Sequence, residues 1–310
     1  MGKVRELVII GGGPSALTAA IYTTREDIDT VIYEKSAIGG LAAITHKVDN
    51  YPGFSDGIEG YALAEQLEKQ AKRFGTEIEF GDVTSVTSND EYRSVIVDGN
   101  EIKAKAVLIA TGSAYVKTGV KGEAEYYGSG VHYCATCDGA FYKGRKIAVV
   151  GGGNSAIQET IFLTRFSSHI DLLVRSTIKA SDVLQKKLQE HIDAGQITVH
   201  LGTTMSEIKG DGTHVQSVDI NENGEIKSID VDGVFVFAGL RPNTEFLTGS
   251  GVELDDYNFI KTDSKLNTNV NGVFACGDVR SGATMQIASA VGDGATVAHT
   301  ISEYLETNYL

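Results

Sequence analysis

A short apolar run that breaks into a glycine turn and then into an alanine-rich stretch leaves few choices of fold, and this chain carries that pattern twice. Leu7-Val8-Ile9-Ile10 leads into Gly11-Gly12-Gly13-Pro14-Ser15-Ala16 and then Leu17-Thr18-Ala19-Ala20-Ile21-Tyr22. Lys146-Ile147-Ala148-Val149-Val150 leads into Gly151-Gly152-Gly153-Asn154-Ser155-Ala156 and a second helix pattern from Ile157 to Arg165. Uninterrupted apolar runs of this length read as parallel strands buried on both faces. In such a strand–turn–helix unit the first glycine makes the tight turn and the next lets a pyrophosphate approach the helix N-terminus, whose free N–H groups bind anions. Ala16 and Ala156 stand where a third glycine is optional. The pattern predicts an α/β fold with two nucleotide-binding domains, Gly11, Gly13, Pro14, Ser15 and Ala16 facing one ligand and Gly151, Gly153, Asn154 and Ser155 the other.

The ends of the second strands separate the two ligands. Thr30-Val31-Ile32-Tyr33 ends at Glu34-Lys35, and a carboxylate there accepts the hydroxyls of an adenosine ribose and repels a 2′-phosphate. Ile170-Asp171-Leu172-Leu173-Val174 ends instead in Arg175-Ser176-Thr177-Ile178-Lys179. Positive charge at that place suits the 2′-phosphate of NADPH, while the first half suits an adenosine without it, as in FAD. Two plainer readings stand beside these: a duplicated fold in which one site is vestigial, and Arg175 and Lys179 as solvated charges on a surface loop.

Between the turns, Gly39-Gly40 and Asn50-Tyr51-Pro52-Gly53 mark loops. Residues 58–74 form an amphipathic helix closed by Gly75, and Thr76 to Val97 give two or three short strands with a turn at Asn89-Asp90. Ala106-Val107-Leu108-Ile109 is another buried strand, closed by Ala110-Thr111-Gly112, where small residues admit a ligand to the backbone. Residues 115–130 lack periodicity and read as a linker leaving the first domain. Val234 to Gly239 repeats the same kind of strand end, with Arg241-Pro242-Asn243 as the exit turn. The last segment offers a strand ending at Gly277-Asp278, suited to ribityl or pyrophosphate oxygens, and a small-residue helix from Met285 to Tyr304, and is expected to return to the first domain.

At 310 residues, 42% hydrophobic and 22% charged, the chain is long enough for two cores. A net charge of −14 argues against nucleic acid, which demands clustered Lys and Arg. No apolar run reaches the roughly 18 to 20 residues of a membrane span. Met1-Gly2-Lys3 passes straight into strand pattern without a signal peptide, so a cytoplasmic location without membrane attachment is expected. Of three cysteines, Cys134 and Cys137 stand two apart in Val131-His132-Tyr133-Cys134-Ala135-Thr136-Cys137-Asp138-Gly139-Ala140-Phe141. In a reducing compartment such a pair is catalytic or metal-binding more often than structural. Structural zinc needs four ligands, and no second pair lies nearby, so no metal is expected. Disulfide exchange needs a thiolate attacker, an accessible sulfur and a proton source. The pair supplies the first two, and Asp138 either supplies the third or caps the turn before Gly139. Cys276, after Val273-Phe274-Ala275, reads as a small buried residue. His132 reads as a structural or solvated imidazole unless it tunes the thiolate.

With both glycine turns, Cys134-Ala135-Thr136-Cys137-Asp138, Asn50-Tyr51-Pro52-Gly53, Ala110-Thr111-Gly112 and Gly277-Asp278 in place, the chain resembles the bacterial-type, low-molecular-weight thioredoxin reductases over essentially its whole length. The resemblance implies an α/β protein of the pyridine nucleotide-disulfide oxidoreductase class, with two Rossmann-like, three-layer ββα domains. Residues 1–114 and 244–310 would together bind FAD, and residues 115–243 would bind NADPH and carry the cysteine pair. The family is homodimeric and passes electrons from NADPH through FAD and the cysteine disulfide to thioredoxin, with the NADPH domain alternating between two orientations. By matching position, Cys137 would face the flavin, Cys134 would attack the disulfide of a thioredoxin or a thioredoxin/glutaredoxin-like protein, and Asp138 would be the acid. Gly13, Glu34, Lys35, Gly40, Asn50, Thr111, Asp278, Gln286 and Ile287 would contact FAD. The chain departs from the family at Val174-Arg175-Ser176 with Lys179, where His-Arg-Arg and a further Arg are usual, at Met285-Gln286 for Arg-Gln, and at Leu41 after Gly39-Gly40. The first departure leaves open NADH, ferredoxin or reduced flavin as the electron donor. A flavin-binding redox sensor without turnover is the rival from another class, and the intact Cys134, Cys137 and Asp138 speak against it.

Overall fold

The computed structural model describes residues 3–45, 47–89, 91–222 and 224–309. Met1-Gly2 and the Asp90 half of the expected Asn89-Asp90 turn lie outside them. The chain divides into two compact units, Met1–Ala114 with Arg241–Leu310, and Tyr115–Leu240. It passes from one to the other within β7 (Ser113–Tyr115) and back within β16 (Leu240–Pro242).

The first unit is built on β1 (Arg5–Ile10), β2 (Thr30–Glu34), β3 (Glu77–Phe80), β4 (Val83–Ser88), β5 (Arg93–Val97), β6 (Asn100–Ile109) and β17 (Val273–Ala275). Their order is β3-β2-β1-β6-β5-β4, with β17 also beside β6. Along the edge away from β1, β6 is long enough to serve two partners. Its first half pairs antiparallel with β5, Asn100 opposite Val97, and its last residues pair parallel with β17, Ile109 opposite Ala275. Leu7, Val8 and Ile9 are fully buried because both faces of the sheet are covered. Leu7, Ile9, Ile32 and Leu108 meet α1 (Pro14–Arg25) and α7 (Ile287–Tyr309), while Val8, Ile10, Val31 and Ile109 meet Val83, Val95, Leu247 and Ile260. Each such aliphatic side chain contributes about 1.5–3 kcal/mol by leaving water. The two helices touch through Gly294, where a β-carbon would lie 2.4 Å from the Ser15 carbonyl oxygen. Two more helices, α2 (Gly40–Ala43) and α3 (Gly60–Arg73), follow β2.

The second unit repeats the plan. Its parallel sheet runs β11-β10-β9-β15-β8, from β8 (Val131–His132), β9 (Lys146–Val150), β10 (His169–Val174), β11 (Ile197–Leu201) and β15 (Gly233–Val236). One face, with Ala148, Leu173 and Val234, packs on the antiparallel sheet β12 (Thr203–Gly210), β13 (Val215–Glu222) and β14 (Glu225–Asp230). The other, with Ile147, Val149, Leu172 and Phe235, packs on α5 (Asn154–Leu163) and α6 (Asp182–Asp193). The result is the expected three-layer ββα sandwich. The short α4 (Ala135–Asp138) lies between β8 and β9.

Residues 115–130 are no free linker. Tyr126 is buried in the second unit's core with Val120 and Tyr127 packed around it. The buried Glu123 carboxylate accepts from the Thr118 and Gly119 N–H groups (2.9 and 2.6 Å) and from the Tyr133 hydroxyl (2.8 Å). A segment organised by one buried carboxylate carries no hydrophobic period, so the pattern alone reads as a loop. The last helix begins at Ile287 rather than Met285, whose φ of 57° excludes it from the helix, and it runs on to Tyr309. Among the described residues no helix is long and apolar enough to cross a membrane.

Candidate active site

In the first unit the strand order reverses between β1 and β6, the place where open α/β sheets bind ligands. Gly11 turns there with φ 97°, so close to β6 that a β-carbon would lie 2.6 Å from the Ala110 carbonyl oxygen. Gly13 faces open space, and a β-carbon on Gly40 would come within 3.7 Å of its Cα. Two bare backbones thus flank the N-terminus of α1, where no side chain caps the free N–H groups of Ser15 and Ala16 and Pro14 has none to offer. Glu34, buried at the end of β2, accepts from the Gly12 N–H at 2.7 Å through one oxygen and from the Ser36 N–H and hydroxyl through the other. The carboxylate expected to meet a ribose therefore also braces the glycine turn. Lys35 beside it is exposed.

The remaining candidates of this unit come together from distant parts of the chain. The Asn50 amide donates to the Gln286 side chain at 3.1 Å, just before Ile287 opens α7. Thr111 and Asn243 exchange hydrogen bonds through the Thr111 hydroxyl (2.7 Å) and the Asn243 amide (2.8 Å), and Gly112 accepts from the Asn243 N–H. A β-carbon on Gly277 would strike the Ser15 hydroxyl at 2.6 Å, which places Asp278 beside the α1 N-terminus. Burial pushes the Asp278 carboxyl up to about 6, with the neighbouring Asp293 adding to the shift and Arg280 opposing it. Arg280 itself is tied to Asp293 at 2.6 and 3.0 Å. Open backbone at a helix N-terminus, an acidic strand end and a largely buried carboxyl with no donor among the described residues fit a dinucleotide with a polyhydroxylated chain. Cys276 is fully buried, its thiol pushed up to about 12 by burial, so it packs as a small apolar residue.

The second unit repeats the turn. Gly151 approaches β15 so that a β-carbon would lie 2.7 Å from the Phe237 oxygen, and Gly153 is open. The N-terminus of α5 has no side-chain cap, since the Asn154 side chain accepts instead from the Ser181 N–H at 2.8 Å and Ser155 is exposed. Arg175 and Lys179 are exposed and make no ion pair among the described residues, and the Lys179 N–H donates to the Gly152 carbonyl at 2.7 Å. The loop thus curls back onto the glycine turn and offers two unpaired cations there.

Cys134 and Cys137 are joined as a disulfide, Cα atoms 5.3 Å apart, at the start of α4. Cys134 is the N-cap, and its sulfur accepts from the Cys137 N–H at 3.2 Å. Both cysteines are half-buried and Thr136 between them is exposed. On the Thr136 side opens a cleft of about 340 Å³ lined also by Gln158, Glu159, Ile161, Phe162 and Arg165, in which burial raises the Glu159 carboxyl above its usual range. The Asp138 side chain caps no turn. Its Oδ2 lies 3.3 Å from Nδ1 of the buried His132, whose Nε2 lies 2.7 Å from the Tyr142 hydroxyl. His132 therefore has two partners that sequence reading did not find. Tyr142 comes near only through the 3-10 turn at Gly139–Tyr142, and the His132 ring is fixed by β8 pairing with β15, His132 opposite Phe235.

The chain matches the family described as pyridine nucleotide-disulphide oxidoreductase over residues 5–294. It is 40% identical to a thioredoxin reductase of Listeria innocua over 98% of this chain and 95% of that one. A thioredoxin reductase of Bacillus subtilis is 38% identical over 98% and 96%. The crystal structure of thioredoxin reductase from Streptococcus pyogenes superimposes with a TM-score of 0.93 at 34% identity, covering 98% of this chain and 99% of that one. The chain belongs to the pyridine nucleotide-disulphide oxidoreductases and, within them, to the bacterial-type, low-molecular-weight thioredoxin reductases. It is accordingly an oxidoreductase of a flavoprotein family that works with FAD and a nicotinamide cofactor, and the Cys134–Cys137 disulfide fits its redox-active centre.

Proposed function

We propose that the chain takes electrons from NADPH, passes them through FAD held by the first unit to the Cys134–Cys137 disulfide of the second, and delivers them to a thioredoxin or a thioredoxin/glutaredoxin-like protein. The observation that carries this reading is the Cys134–Cys137 disulfide in the same compact unit as the nucleotide-type glycine turn at Gly151 to Gly153. When bound, FAD supplies the two-electron carrier between a nicotinamide hydride and a disulfide. Gly11, Gly13, Pro14, Ser15, Ala16, Gly40, Ala110, Thr111 and Gly112 would cradle it, with Glu34, Lys35, Asn50, Gly277, Asp278, Gln286 and Ile287 contacting its polar groups. Gly151, Gly153, Asn154, Ser155, Arg175 and Lys179 would hold the nicotinamide nucleotide.

In the reduced pair Cys134 is the outward nucleophile and Cys137 the flavin-facing sulfur. The Cys137 N–H aimed at the Cys134 sulfur favours negative charge there, as a thiolate requires. The Cys134 thiolate attacks one sulfur of the substrate disulfide and expels the other as a thiolate. The Cys137 thiolate then attacks Cys134, re-forming the Cys134–Cys137 bond and expelling the second substrate thiolate. Asp138 gives a proton to a departing thiolate and recovers it from solvent. Asp138→Asn should slow this dithiol step, and an unchanged pH–rate profile would sink the assignment. A homodimer in the cytoplasm completes the proposal, on the strength of the family resemblance.

A second reading keeps the flavin–disulfide chemistry and changes the donor to NADH, ferredoxin or reduced flavin. It is favoured by the strand end at Arg175, where one arginine and one exposed lysine replace the cluster usual in the family. Anaerobic titration with NADPH and with NADH, following the flavin absorbance, decides between them. Bleaching by NADPH at lower concentration supports the proposal, and bleaching by neither nucleotide removes it.

A further inference from the structure

The Asp138 carboxylate is one end of a buried chain of side chains that runs through His132 to Tyr142, and the geometry points to His132 as the positioning residue that sets which oxygen of Asp138 carries the acid proton. This inference rests on the proposed role of Asp138 as the acid of the exchange.

The His132 ring is packed between two aromatic neighbours. It lies edge-on to Tyr142 with centroids 5.3 Å apart and against Phe235 at 5.2 Å, and Tyr142 in turn meets Phe235 at 5.3 Å. Gly233 leaves no slack behind Tyr142, because a β-carbon there would lie 2.3 Å from its ring. The titratable and charged groups around the chain are Asp138, Tyr127 and Tyr142, with Arg145 and Asp232 acting on Tyr142 from farther out. Burial and the Asp138 charge both drive the Tyr142 hydroxyl well above its ordinary value, so it keeps its proton.

These distances favour one tautomer while Asp138 is ionised. Nδ1 sits 3.3 Å from a carboxylate oxygen, a contact that is attractive only if Nδ1 carries the hydrogen. In the neutral ring Nε2 is then an acceptor, and the partner at 2.7 Å among the described residues is the protonated Tyr142 hydroxyl, which donates to it. With Oδ2 of Asp138 facing Nδ1 at 3.3 Å, a proton taken up by the carboxyl is directed to Oδ1. His132 transfers no net proton and exchanges no electrons. It aims the carboxyl and weights one protonation site, as second partners of catalytic groups do.

The test uses the full-length flavin-loaded protein and measures kcat/KM for a thioredoxin between pH 5.5 and 9, normalised to nicotinamide-driven flavin reduction in the same preparation. His132→Ala is expected to lower the exchange rate about tenfold, a loss typical of misplacing a positioned acid, and to move the limb of the pH profile that Asp138→Asn abolishes. His132→Asn keeps an N–H near the Nδ1 position but does not titrate, and it should restore most of the rate. Tyr142→Phe frees the tautomer and should move the same limb in the same direction by less. A lower rate with an unmoved profile in His132→Asn and Tyr142→Phe overturns the inference, and these two variants decide it even if His132→Ala does not fold. If Asp138→Asn itself leaves the profile unchanged, the reading of Asp138 fails first and is recognised as such.

Discussion

Asp278→Asn should stabilise the flavin-stripped protein at alkaline pH. The Asp278 carboxyl is pushed up to about 6 from an ordinary 3.8, chiefly by burial, and no donor among the described residues relieves it. The folded state therefore binds this proton more tightly than the unfolded state. Stability from this group is fully present below about pH 4 and is lost as pH rises through about 6. A gap of about two units at roughly 1.4 kcal/mol each sets an upper limit near 3 kcal/mol at pH 8, relative to a neutral side chain of the same shape. Asparagine is that side chain, so the variant should be about 1–3 kcal/mol more stable than the parent at pH 8 and equal to it at pH 4. Urea unfolding by far-UV circular dichroism at the two pH values measures the difference, because the chain has no tryptophan to report by fluorescence. Other carboxyls titrate in both proteins and cancel in the comparison. Equal stabilities at pH 8, or a less stable variant there, would refute the argument that Asp278 is held without a partner. In the same variant flavin should dissociate more readily, since the acceptor proposed for its hydroxyl groups would have lost its charge.

Replacing Arg175 and Lys179 together by alanine should raise KM for NADPH about tenfold and leave KM for NADH unchanged, as expected for loss of charge-assisted contacts to one phosphate. An equal effect on both nucleotides would mean that the two cations are merely solvated. Glu123→Ala removes the shared acceptor of the Thr118 and Gly119 N–H groups and the Tyr133 hydroxyl, and should cost about 2–4 kcal/mol in urea unfolding. Burial pushes the Glu123 carboxyl up, but those donors together outweigh it and hold it below its usual range, so its contribution is present above about pH 4.5 and fades on acidification, and a variant as stable as the parent at pH 7 would contradict this. Gly11→Ala, forced to φ 97° with its β-carbon 2.6 Å from the Ala110 oxygen, should lose bound flavin, which the ratio of flavin to protein absorbance reads directly.

What the sequence made legible was whatever depends on local pattern. The runs Leu7 to Ile10 and Lys146 to Val150 are strands because both faces are buried, and the glycine turns lie where the strand order reverses. Cys134 and Cys137 announce themselves by spacing and Cys276 by its apolar neighbours. What depends on long-range packing was not legible. β6 continues back to Asn100 because β5 pairs with that half, and the alternation of Glu101-Ile102-Lys103-Ala104-Lys105 marks a strand without naming β5 as its partner. The core role of residues 115–130 rests on Glu123, a charged residue that composition assigns to the surface. His132 looked isolated because its partners depend on a turn and on register with β15, neither of which is written near it.

Two aspartates show why the same residue type calls for opposite inferences in the two units. Asp138 follows the redox pair and has its counterpart inside the chain, a histidine held in turn by a tyrosine, so its orientation is set before any substrate arrives. The Asp278 carboxyl is pushed up by burial, yet the cation named beside it among the described residues, Arg280, is already committed to Asp293 through Nε and Nη2. A largely buried carboxyl left without a donor costs free energy that a folded chain recovers only from outside itself. The lack of a donor to Asp278 among the described residues is what the proposed hydroxyl-bearing ligand would relieve, whereas the His132 contact at Asp138 suits a residue proposed to act on a transient partner. Exchanging the two situations by substitution, an alanine at His132 or an asparagine at Asp278, should move the pH dependence of exchange in the first case and of folding in the second.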